Sequence, residues 1–150
     1  MDKGLTPYLL VIAPVLMFIA FMTGPDDVLG QEYIDYLKDT DMNTMIIGTI
    51  LVTVGAIMMF GGWFVLTQDM MVKSNKTQQD LLMLSRVALI LPITLLLLAT
   101  GMDLEAHWLV TEGDDDLTVE EEEGIALQNR EISSYFWGTM PISWALGLIL

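Results

Sequence analysis

Residues 44–67 read TMIIGTILVTVGAIMMFGGWFVLT, a run of 24 residues without a charged side chain. A transmembrane α-helix needs about 20 consecutive, mostly apolar residues to cross the hydrocarbon core of a bilayer. The run therefore predicts a membrane-spanning helix with length to spare for some tilt. Either Asp41 or Asn43, just before it, can cap its N-terminus.

Three further apolar runs, at 5–23, 81–101 and 133–150, are separated from this one and from each other by charged segments. A cleaved signal peptide is the alternative for the first run, because it lies at the N-terminus. The remaining residues are too few for a soluble catalytic domain of ordinary size. We therefore predict an all-α integral membrane protein with four transmembrane helices in a single domain, residues 1–150.

Polar residues mark the expected ends of two of these spans. The residues from Thr77 to Asp80 resemble a capping box before the third span, and Ser133 or Ser134 can cap the fourth. Arg86 is the one charge inside the third run. We expect its long side chain to reach the headgroups from about one turn inside the bilayer.

The segment 24–43, between the first two spans, contains a second kind of pattern. Leu29, Tyr33, Tyr36 and Leu37 follow the i, i+4, i+7, i+8 spacing of one helix face. Tyrosine is frequent at the headgroup level of a bilayer. The spacing predicts a short amphipathic helix that lies on the membrane surface or against a partner.

Acidic residues are concentrated in the two longer connections. The segment 102–132 has eleven of them against Arg130 alone. We interpret it as an acidic outer loop in which the charge runs 114–116 and 120–123 are solvated, although such runs can also attract divalent cations. Most Lys and Arg residues fall on the other side of a four-span arrangement, which places both termini in the cytoplasm and the acidic loops outside.

The composition excludes several classes of function. The net charge of −14 is the opposite of the clustered Lys and Arg that binding to nucleic acid requires. The chain has no cysteine and one histidine, so thiolate metal sites, thiol nucleophiles and histidine-rich metal or haem sites do not fit. We expect no cofactor and no nucleic acid, and the lipid bilayer is the first expected partner.

Gly48, Gly55 and Gly62 recur every seven residues in the second run. Seven residues return an α-helix to within about 20° of its starting azimuth, so these glycines form one stripe. A glycine stripe lets another helix backbone approach closely. It predicts helix packing, either inside this bundle or against another subunit.

Asp103 and His107 have the spacing of a possible metal-ligand pair, because residues at i and i+4 lie one above the other on a helix. The Asp-x-x-x-His spacing is similar to part of the copper-ligand motif in the C subunit of membrane-bound methane and ammonia monooxygenases. That family supplies a further histidine from a later position, and this chain has no second histidine. The simpler interpretation is a carboxylate–imidazole pair at the membrane surface, so we assign no metal ligand.

The contents of the apolar runs favour one class of function. They contain hydroxyls and glycines but no Asp, Glu or Lys that would relay protons, and no catalytic constellation is recognisable. The glycine stripe and the twelve methionines suit adaptable contacts between helices. We predict a structural or accessory subunit of a larger membrane protein complex that packs against other membrane subunits and carries no catalytic residues. The alternative is a component of a channel or transporter, for example a homo-oligomer.

Overall fold

The computed structural model describes residues 4–23 and 28–149. These residues form five helices and no strand, which confirms the prediction of an all-α protein. By length and composition, α3 and α4 are long and apolar enough to cross a membrane, and the first run is a shorter apolar helix. The helices are α1 (Thr6–Thr23), α2 (Gln31–Asp39), α3 (Met42–Met71), α4 (Lys76–Thr111) and α5 (Val119–Ile149).

The four longer helices pack in chain order, α1 on α3, α3 on α4 and α4 on α5. A buried apolar cluster fills the middle of this bundle, with contributions from Val52, Phe60 and Leu96. On α3, a Cβ added at Gly55 would lie 2.6 Å from Met17 Cγ of α1. A Cβ added at Gly62 would likewise lie 2.9 Å from a methyl carbon of Leu10, so these two glycines of the stripe lie against α1 of the same chain.

The segment predicted to be an acidic outer loop, 102–132, is helical except at 112–118, so it is not an irregular connection. Local interactions explain where α4 ends and where α5 begins. Thr118 and Glu121 form reciprocal hydrogen bonds at the start of α5, from Thr118 N to Glu121 Oε2 at 2.9 Å and from Glu121 N to Thr118 Oγ1 at 3.4 Å. Gly113 ends α4 with a φ of 77°, in the left-handed region that favours glycine.

The sequence predicted the N-cap of α3 correctly and that of α4 incorrectly. Asp41 caps α3 as predicted, accepting a hydrogen bond from Thr44 N at 3.1 Å. The predicted capping box at 77–80 lies inside α4. The actual box is formed by Asn75 and Gln78, whose side chains each accept from the other's backbone N–H, at 3.0 and 3.1 Å.

The short amphipathic helix predicted in the segment 24–43 is confirmed as α2. Its apolar face, formed by Tyr33, Ile34 and Leu37, is fully buried, and it packs on the extended parts of α4 and α5 rather than on a surface outside the chain. Leu29 precedes the helix and is exposed. Nine residues are too few for a stable isolated helix, so α2 depends on this packing. We call α2 together with residues 102–132 the acidic cap.

Candidate functional site

Asp103 is the centre of a polar cluster between the apolar bundle and the acidic cap. Its carboxylate accepts hydrogen bonds from Ser133 Oγ at 2.9 Å and from the Tyr33 hydroxyl at 3.4 Å. Arg130 Nη1 lies 3.8 Å from the same oxygen, and the Trp137 indole N–H also donates to the carboxylate. We call these five residues the Asp103 cluster. It joins α2, α4 and α5 at one point.

The charges of the Asp103 cluster are largely shielded from solvent. Only 11% of the Arg130 side chain and 13% of the Asp103 side chain are exposed. The Arg130 guanidinium also lies 4.9 Å from the centroid of the Tyr33 ring, a cation–π distance. Burial raises the pKa of the Tyr33 hydroxyl, and the Asp103 charge raises it further, so this hydroxyl stays a donor. A buried ion pair is costly unless further hydrogen bonds satisfy it, and here Ser133 and Tyr33 donate such bonds to the Asp103 carboxylate.

The sequence contained a signal for this cluster that the loop interpretation hid. Arg130, Ser133 and Trp137 follow an i, i+3, i+7 spacing, which puts all three on one helix face. That spacing places the three residues on one face only if the helix begins well before residue 133. Ser133, predicted to cap a helix, instead lies inside α5 and binds Asp103.

A cavity of about 480 Å³ opens beside the Asp103 cluster, between α1, α3, α4 and α5. Along α3 its wall runs from Thr44 to Val52, a rise of about 12 Å at 1.5 Å per residue. Gly48, the third glycine of the stripe, lies in this wall. The residues that line the cavity are Ala20, Phe21, Thr44, Met45, Gly48, Thr49, Val52, Thr100, Asp103, Arg130, Ser134, Trp137 and Gly138.

Two aromatic rings connect α1 to α5 at the edge of this cavity. Phe21 and Trp137 meet edge to face, with ring centroids 5.5 Å apart and planes at 69°, an arrangement that aromatic pairs favour. Within the described residues, no Cα of α1 lies within 8 Å of a Cα of α5. The two helices therefore approach each other through side chains.

His107 does not form the predicted surface pair with Asp103. It is fully buried, and its Nε2 lies 2.6 Å from the carbonyl oxygen of Thr40. A carbonyl can only accept, so Nε2 carries the proton, and its second nitrogen faces Thr111 Oγ1 at 3.5 Å. No group of three potential metal ligands occurs in the described residues. The histidine instead ties α4 to the α2–α3 junction.

Part of the acidic tract also has defined partners, where the sequence predicted solvated charge runs. Glu122 is buried, and its Oε1 accepts from Asp114 N at 2.5 Å across the α4–α5 turn. Glu123 pairs with Lys38 of α2 at 2.6 Å, and this hydrogen bond raises the pKa of the Lys38 ammonium. These carboxylates connect the parts of the acidic cap.

The Arg86 side chain, predicted to reach the headgroups, is bound within the chain instead. It is buried against the C-terminal part of α3. Nε donates to Thr67 Oγ1 at 2.8 Å, and Nη2 donates to Phe64 O at 3.0 Å and to Gln68 Oε1 at 2.7 Å. The guanidinium finds these oxygen acceptors on the neighbouring helix and so joins α4 to α3.

The site combines a buried carboxyl group with several donors. Burial raises the pKa of Asp103, while the hydrogen bond from Ser133, the charge of Arg130 and the hydrogen bonds from Trp137 and Tyr33 act to lower it. The cavity beside it combines an ion pair, hydroxyl groups and apolar walls. No family model, curated protein or solved structure matches the chain.

Proposed function

We propose that this chain is a multi-pass membrane protein with four transmembrane helices, acting as a structural or accessory subunit of a larger membrane protein complex. The observation that carries the proposal is the placement of large apolar side chains. They face outward on all four long helices, as at Phe18, Ile47, Leu91 and Ile142. Apolar surface of this extent is covered by lipid or by neighbouring membrane subunits.

Helix lengths and charge support the arrangement across the bilayer. The 36 residues of α4 rise about 54 Å, well beyond a hydrocarbon core of about 30 Å. Its C-terminal part then stands outside the membrane within the acidic cap. Lys73 and Lys76 lie at the opposite end of the bundle, which favours the cytoplasm for that end.

The interior of the bundle favours packing over conduction. Its centre is filled by apolar side chains that include Val52, Phe60 and Leu96, where a conducting pathway needs polar groups or water. The Arg86 guanidinium is bound to three oxygen atoms of α3 and so has a fixed position.

The direct test is purification of the full chain from its native membrane in a mild detergent, followed by mass spectrometry and measurement of particle mass. We expect the same partner subunits at fixed stoichiometry in repeated preparations. A lone monomer would refute the proposal. A lone homo-oligomer that passes ions when placed in liposomes would favour the channel alternative instead.

Glycine variants separate docking from folding in the same preparation. An added Cβ meets no atom within 4 Å at Gly61 or at Gly101, so Gly61→Leu and Gly101→Leu place new side chains on the outside of the bundle. A variant that loses partners while keeping its own thermal stability identifies the docking face. Gly55→Leu is the control, because it disturbs packing inside the chain.

A further inference from the structure

We propose that the cavity beside the Asp103 cluster binds a neutral amphiphile, a molecule with a hydrocarbon chain and an uncharged head group that carries hydroxyls. The volume of about 480 Å³ lies within the usual range for small-molecule sites. Every wall belongs to this chain, so the site needs no partner subunit, while its orientation and its entrance from lipid rest on the proposed membrane-spanning arrangement.

The polar end of the cavity selects the charge of the head group. Asp103 and Arg130 both line it and are paired with each other at 3.8 Å. A charged head group would lie next to one charge of its own sign, and it would lose its hydration on entry. A hydroxyl can donate to the carboxylate side and accept from the guanidinium side. The paired charges therefore favour a neutral head group.

Hydroxyl side chains in the cavity wall add acceptors near the same end. Ser134 donates its proton to Glu131 O at 2.6 Å, and Thr100 donates to Leu96 O at 2.9 Å. Each hydroxyl oxygen keeps its accepting capacity after donating. A ligand hydroxyl that enters the cavity therefore finds several acceptors, which matches a head group with more than one hydroxyl.

The other walls of the cavity are apolar and suit a hydrocarbon chain. Ala20 and Val52 are buried members of the bundle core and also line the cavity. At Gly138, an added Cβ would meet no atom within 4 Å, so this glycine leaves room for a ligand. The polar end lies toward the acidic cap and the apolar walls toward the bundle, which is the orientation of an amphiphile in the outer half of a bilayer.

The contact between Phe21 and Trp137 gives a lateral entrance from the membrane. Both rings line the cavity, and they join α1 and α5, whose Cα atoms nowhere come within 8 Å of each other in the described residues. Rotation of two side chains opens this edge without moving a helix. A ligand chain longer than the cavity can extend between the rings into lipid.

The test uses the full chain in phosphatidylcholine nanodiscs and native mass spectrometry. Four probes, each with a chain of twelve carbon atoms, are supplied at equal amounts: 1-monododecanoylglycerol, methyl dodecanoate, dodecanoate and dodecylamine. We expect one bound equivalent of the monoacylglycerol and about tenfold less of each other probe, since loss of about 1.4 kcal/mol of hydrogen bonding corresponds to tenfold in affinity. A molecule that co-purifies from the native membrane then shows whether the ligand is a lipid or a free metabolite with this chemistry.

Gly138 and Gly124 supply matched variants on the same helix. Both positions have open space for a side chain, but only Gly138 lines the cavity. We expect retention of the monoacylglycerol to fall in the order wild type, Gly138→Val, Gly138→Leu, and to be unchanged in Gly124→Leu. Helical circular dichroism checks that each variant is folded, and the graded pair keeps the test valid if Gly138→Leu is not. Equal retention by all folded forms, equal binding of a charged probe, or no retention by the wild type overturns the proposal.

Discussion

Replacement of Gly55 by alanine tests the packing of α1 on α3 most directly. The added Cβ would lie 2.6 Å from Met17 Cγ, 3.2 Å from Ala13 O and 3.3 Å from Met17 N. Two of these three atoms belong to the α1 backbone and can give way only if the helix shifts, by a few tenths of an ångström, whereas Met17 Cγ can move only by a change of its χ1 rotamer. One added methyl group therefore requires both a small outward shift of α1 and repacking of Met17.

A matched variant separates the free-energy cost of overpacking from the helix preference of alanine. Gly61→Ala lies on the same helix, and its new Cβ meets no atom within 4 Å. Both variants gain up to about 1 kcal/mol of helix propensity. Only Gly55→Ala is also destabilised by overpacking, by about 1–3 kcal/mol. The free energies of unfolding of the two variants should differ by that amount.

Thermal unfolding in detergent, followed by circular dichroism, measures this difference. At about 2–4 °C per kcal/mol for a chain of this size, Gly55→Ala should melt about 2–12 °C below Gly61→Ala, and Gly55→Leu lower still. Equal melting temperatures for the two alanine variants would refute close packing of α1 at Gly55.

Three further predictions concern single interactions. Arg86→Met should lower the free energy of unfolding by about 2–4 kcal/mol, because three oxygen atoms lose a charged donor; a chemical denaturation curve that matches the wild type contradicts this. Asn75→Ala should cost about 1 kcal/mol by removing the α4 cap, and Asn75→Asp should restore most of it. The side-chain hydrogen bond from Thr44 lowers the pKa of Asp41, so the contribution of this cap is present above the ordinary Asp pKa and is lost as pH falls below about 4. An acid titration of helical signal should show this loss in the wild type and not in Asp41→Asn, which keeps a capping side chain without a charge to titrate.

The apolar helices followed from the sequence because each residue contributes to hydropathy independently of its neighbours in space. The runs 44–67 and 81–101 lie inside α3 and α4, and the i, i+4 pattern of tyrosine and leucine identified α2. The Asn75–Gln78 cap was missed because the competing Thr77 to Asp80 motif lay closer to the apolar run.

The acidic segment was interpreted as a loop because runs of like charge are usually solvated. Helix termini reverse that expectation locally, since carboxylates in a first turn interact favourably with the helix dipole. Three of them occupy the first turn of α5. The Thr118-x-x-Glu121 spacing was the available signal for this helix start.

The Asp103 cluster and the role of Arg86 depend on contacts that are remote in the chain. Asp103 meets residues thirty and seventy positions away, and these pairings are set by the register of α2 and α5 on α4. A single sequence gives the face on which each residue lies but not the register between helices. The cavity could not be predicted for the same reason, since it is a gap between four helices and depends on how they pack.

The continuity of α4 and α5 through the acidic cap makes the cap a rigid extension of the bundle. From residue 101 to Thr111, α4 rises about 15 Å without a break. A tilt of about 10° around Pro92 would displace the 112–118 turn by about 5 Å, because nineteen residues of helix act as a lever arm of about 28 Å. The position of that turn is thus fixed by the helices, and a small rotation within the bundle reaches it as a measurable displacement.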